Sequence, residues 1–83
     1  MKVAINASQS RAARALLGWS RQTLAEASLV ASRTIIDFER GARRPHTRTL
    51  ADIGRAFEDA GVIFIDEDDD AGVGVRLRKR PTD

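Results

Sequence analysis

The chain has 83 residues, 42% of them apolar, enough for one small domain with a core of about a dozen side chains, which a second subunit would usefully extend. It has no cysteine, which excludes a disulfide framework and thiolate metal sites, and Asn6, Ser8, Gln9, Ser10, Arg11 and Arg14 interrupt any leader or membrane core, so the expectation is a soluble, cytoplasmic protein with no membrane partner. The net charge of +2 hides an asymmetry: residues 1–48 carry nine Lys or Arg against three acids, residues 49–72 one Arg against eight acids, and residues 73–83 four Lys or Arg against one acid, so the first half favours a polyanionic partner.

In chain order, a first helix is predicted from Ser8 or Ser10 to Leu17, with a serine as N-cap, Gly18 as its end, and Ala13, Leu16 and Leu17 facing inward beside Trp19. A second helix follows the N-cap Ser20 and runs to Ser28, with Leu24 and Ala25 inward. A third covers Ser32 to Arg40, closed by Gly41, with Ile35 and Phe38 on one face. The gap between the second and third is too short for them to lie alongside each other, so they must cross. Pro45 interrupts the basic loop that follows, and a fourth helix runs from Thr47 or Thr49 to Ala60 with Leu50, Ile53, Phe57 and Ala60 as its stripe and Gly61 as its stop. The tail then changes period. The runs VIFID at 62–66 and VGVRLRK at 73–79 flank the acidic EDDDAG and read as a β-hairpin. A lone hairpin is marginal in water, so its counterpart in a second subunit is the expected partner, through Val62, Phe64, Val73, Val75 and Leu77.

Residues 11–60 resemble the Cro and phage-repressor type of helix-turn-helix, the XRE family of bacterial and phage transcriptional regulators. The resemblance is carried by Arg14, LGWS at 17–20, LAE at 24–26, Val30, Thr34-Ile35, FERG at 38–41 and TL at 49–50. It implies a mainly α, lambda-repressor-like fold of four helices over 8–61, to which the alternating tail adds a C-terminal strand pair over 62–80. It also implies a partly buried ion pair between Arg14 and Glu39, and a third helix that enters the DNA major groove.

Carried over residue by residue, the base-reading candidates are Ser32, Arg33 and Asp37, with Ala31 and Ile36 at the edge of that surface. Arg33 stands out because a guanidinium can bond both O6 and N7 of guanine. Asp37 either accepts from cytosine N4 or steadies Arg33 from one turn away, and the second use is favoured because phosphates repel a free carboxylate. Backbone candidates are Arg21 and Gln22 at the start of the second helix, where the helix dipole attracts anions, and Thr34, Arg43, Arg44 and His46. Three residues depart from the family pattern: Leu29 stands where a turn glycine is usual, Ala31 where a Ser or Thr cap is usual, and Arg21 where a glutamine meets phosphate. The first implies strain of order 1 kcal/mol. The second leaves Ser32 to cap one residue late.

The implied function is a sequence-specific transcriptional regulator, a homodimeric repressor of a palindromic operator, with double-stranded DNA as partner and no cofactor. The alternative is an antitoxin or antiactivator that binds a toxin or activator protein through the same scaffold. An enzyme is not expected, for want of a nucleophile with a base, a phosphate loop or a metal cluster. His46 has no second histidine or cysteine to complete a zinc site. The acidic run from Asp66 fails the calcium-loop template, because Ala71 stands at the glycine position and Leu77 at the final glutamate. RLRK at 76–79 with Arg80 suits an extra DNA arm as well as a charged guard on an edge strand.

Overall fold

The computed structural model describes residues 5–79, as four helices followed by a two-stranded antiparallel sheet. Helix α1, Ala7–Leu17, begins earlier than either serine suggests. Its N-cap is Asn6, whose side chain accepts from the Gln9 N–H at 2.8 Å while Gln9 Oε1 accepts from the Asn6 N–H at 3.0 Å, a reciprocal capping box. Ser8 lies inside the helix, and Ser10 is fully buried and serves another purpose. Gly18 ends α1 at φ 69°, a left-handed conformation that suits glycine.

Helix α2, Arg21–Ser28, starts on the Ser20 hydroxyl, which accepts from the Thr23 N–H at 3.0 Å. It ends on Leu29 at φ 63°, the single non-glycine residue with positive φ among those described. Helix α3, Ser32–Glu39, has Ala31 as its N-cap and no side-chain capping bond. The late cap expected from Ser32 is therefore not formed; its hydroxyl points to Gln22 instead. Helix α4, Thr47–Asp59, likewise lacks a side-chain cap, with His46 in the N-cap position, and it stops at Ala60 before Gly61.

Strands β1, Val62–Ile65, and β2, Gly74–Leu77, pair Val62 with Leu77, Ile63 with Arg76, Phe64 with Val75 and Ile65 with Gly74. Both are shorter than the sequence runs that contain them. Asp68 makes a tight turn in the connection, with Oδ1 accepting from the N–H groups of Asp70 and Ala71 at 2.8 Å each.

The core comprises Ile5, Ala13, Leu24, Ile35, Phe38, Leu50, Ile53, Ala56, Phe57 and Val62, with Leu17, Trp19, Ala25, Val30, Phe64 and Val75 packed around it. Each large side chain buried here stabilises by about 1.5–3 kcal/mol. Phe57 lies between Trp19, stacked at 5.8 Å, and Phe64, edge-on at 6.0 Å.

Three expectations change as a result. Leu16 is 44% exposed rather than inward, because the buried face of α1 is centred on Gln9, Ser10, Ala13 and the half-buried Leu17, which leaves Leu16 on the flank. Ala60 is exposed, and Ala56 takes its place on the α4 stripe. The hairpin packs within its own chain, β1 on α4 and β2 on α1. Val62 is 1% exposed, and Phe64 and Val75 pack against the core. Val62 is thus enclosed in its own chain's core and is not a dimer contact, whereas Phe64 and Val75 are only partly buried against that core.

Candidate nucleic-acid interface

The orientation of α3 is set from behind by Glu39. Its carboxylate is 1% exposed and accepts from Ser10 Oγ at 2.6 Å and from Arg14 Nε and Nη2 at 3.0 and 2.7 Å. Arg14 also donates through Nη1 to the Trp19 carbonyl at 3.2 Å, and Arg11 donates to the Glu39 carbonyl. Arg14 and Glu39 are therefore brought together, and Ser10 and Arg11 join them. Ser10, one of the two serines that look like a cap, thus turns its hydroxyl to Glu39 instead, and Arg11 adds a contact that no sequence pattern marks. A buried charge needs this many partners, since burial without them costs several kcal/mol.

From that anchor α3 presents its other side to solvent. The Arg33 side chain is 75% exposed, and its Nε lies 3.5 Å from Asp37 Oδ1, one helical turn on. Arg40, absent from the sequence-based candidates, approaches the same Asp37 oxygen at 4.0 Å and is 61% exposed. Asp37 thus sits between two guanidinium groups, at ion-pair distance from each. Surface pairs of this kind contribute little stability.

Ser32 opens α3 and donates to Gln22 Oε1 at 3.0 Å, while Gln22 Nε2 donates to Glu26 Oε2 at 3.1 Å. These contacts join the first turn of α2 to the first turn of α3. Arg21, the first residue of α2, is exposed beside Gln22.

On the far side of α3, Thr34, Arg43, Arg44, Pro45, His46 and Thr49 line one open groove of about 460 Å³. Four of the sequence-derived backbone candidates, Thr34, Arg43, Arg44 and His46, therefore meet in one place. The groove adjoins the start of α4, whose first N–H groups no side chain caps. Uncapped N–H groups beside two exposed arginines suit an anion such as phosphate. Thr49, on the groove wall, was not among the candidates; its position in the first turn of α4 could have pointed to it.

No helix of the described residues is long and apolar enough to cross a membrane. A family model described as helix-turn-helix matches residues 11–58, more than half of the chain. The match takes in α2, α3 and the loop between α3 and α4, with most of the flanking helices. No curated protein matches the chain.

Proposed function

The chain belongs to the helix-turn-helix family of DNA-binding regulators, of the Cro and phage-repressor type, which is not a family of enzymes, and from that premise we propose that it is a homodimeric repressor of a palindromic operator. In this reading α3 enters the major groove, Arg33 reads guanine with Asp37 holding its fork, and Arg21, Gln22, Arg43, Arg44 and His46 grip phosphates. Two subunits would place their recognition helices in successive grooves, on half-sites about one turn, ~10 bp, apart. The observation that carries the proposal is Arg33, exposed on α3 and steadied by Asp37 at 3.5 Å, while Glu39 fixes the helix from behind.

Substitution separates reading from gripping. Arg33→Ala is expected to lose about 1–3 kcal/mol of discrimination between the operator and a mismatched site. Arg43→Ala is expected to weaken all sequences alike and to lower the salt slope by about 1. If Arg33→Ala left both affinities unchanged in a binding titration at fixed salt, the assignment would be wrong.

A second reading has its own support. Leu16 and Leu77, 44% and 42% exposed, flank a groove of about 430 Å³ between the C-terminal ends of α1 and α4 and the end of β2. A groove that sets Leu16, Leu17 and Leu77 beside the charged Asp59, Arg78 and Lys79 suits a protein partner, such as a toxin or an activator, as well as a second copy. Binding to no DNA at low salt would favour that alternative.

A further inference from the structure

The hydrogen-bond chain that links α2 to the start of α3 has a direction. Glu26, at its far end, carries a carboxylate that only accepts, so the Gln22 amide must turn its N–H toward it, as the 3.1 Å contact requires. That turns Gln22 Oε1, again an acceptor only, toward Ser32 at 3.0 Å. The serine hydroxyl has one proton and gives it to Gln22. Ala31, before it, provides no capping side chain, and the Ser32 hydroxyl itself is not drawn into capping the helix. What Ser32 presents outward is its lone pairs.

We propose that the Glu26–Gln22–Ser32 chain makes Ser32 an acceptor-only reader, which selects a base offering an exocyclic amino group, adenine N6 or cytosine N4, over the keto bases guanine and thymine. The inference rests on α3 lying in the major groove and extends that reading to the chemical class of base at one operator position. In that groove guanine shows O6 and N7, and thymine O4, all acceptors, whereas adenine and cytosine show N–H donors. A freely rotating hydroxyl meets either kind. This one has its rotation fixed from α2. Gln22 and Glu26 act here as positioning residues, and Glu26 does so without touching a base.

Selection from a random DNA pool, run in parallel on the wild-type chain, Ser32→Ala and Glu26→Lys, tests this. The position that relaxes in Ser32→Ala is the one Ser32 reads. There the wild type should prefer adenine or cytosine on one strand by roughly three- to tenfold, the discrimination carried by a single hydrogen bond. Replacing that base with an analogue lacking the amino group, on each strand in turn, should cost the wild type the same factor and Ser32→Ala nothing. In Glu26→Lys a donor replaces the acceptor, so the amide of Gln22 turns over and Ser32 is free to donate. The preference at that one position should be lost, guanine and thymine becoming as acceptable as adenine and cytosine, with the other positions and the thermal melt unchanged. Guanine or thymine in the wild type, a Glu26→Lys profile identical to wild type, or enriched positions of which none depends on Ser32 would each overturn the inference alone. A pool in which no variant enriches any sequence would overturn the repressor reading together with it.

Discussion

Leu29 holds a left-handed conformation at φ 63° with 91% of its surface exposed, so it is strained and makes little contact in return. A β-carbon in that region costs about 1–2 kcal/mol, partly offset by the entropy that glycine loses on folding. Leu29→Gly should therefore raise stability by roughly 0.5–1 kcal/mol, or a few degrees in thermal midpoint. An unchanged or lowered midpoint in a calorimetric scan would show that the turn is unstrained. Glu39 gives the opposite case. Glu39→Ala leaves Arg14 facing a cavity without its partner, and chemical denaturation should show a loss of about 3–5 kcal/mol. The triple variant Ser10→Ala, Arg14→Met, Glu39→Leu should recover most of that loss, because the cost comes from orphaned buried polar groups rather than from the missing attraction.

Among the elements, the hairpin connection responds to acid. The Asp70 and Ala71 N–H groups hold the Asp68 carboxyl below its ordinary carboxylate range. A group whose folded pKa is depressed stabilises at pH above its unfolded value, and the contribution is lost as pH falls through the folded value. In an NMR titration Asp68 should titrate below an unstructured aspartate, and the amide protons of Asp70 and Ala71 should lose their hydrogen-bonded shifts as it does so. The elements themselves were largely legible: Ser20, Gly18, Pro45 and Gly61 mark boundaries through local backbone chemistry, and Leu50, Ile53 and Phe57 mark a face through helical spacing. The start of α1 is less legible, because serines at 8 and 10 look like caps. The Asn6–Gln9 box, three residues apart, was the competing signal. What the hairpin packs against was not legible at all, since alternation reports that a face is buried and not by what. At the interface, the family resemblance pointed to Arg33 and Arg43; Arg40 lies three residues after Asp37, a helical spacing that could have pointed to it, whereas the role of Ser10 arises from a contact 29 residues away in sequence, which no local pattern encodes.

For the whole molecule, the large apolar side chains left exposed on the α1 and β2 side are Leu16, Val73 and Leu77. If two copies associate there, Leu77→Asp should shift sedimentation toward the monomer and weaken operator binding while the fold persists. Val62→Asp, in the core, should unfold the chain instead. Equal sedimentation of the wild type and Leu77→Asp would remove this surface from the dimer. Neighbouring residues of α1 also face two ways: Ser10 holds α3 through Glu39, whereas Gln9 Nε2 donates to the Gly74 carbonyl of β2 at 3.1 Å. These contacts close loops of very different length, 29 and 65 residues apart in sequence. At a synthesis rate of about 5–20 residues per second, Gly74 follows Glu39 by roughly 2–7 s. During that interval a nascent chain can already bring α3 to α1 while the opposite flank of α1 stays wet. The Ser10–Glu39 contact thus becomes available during synthesis before the Gln9–Gly74 contact, so α3 can meet α1 before β2 does.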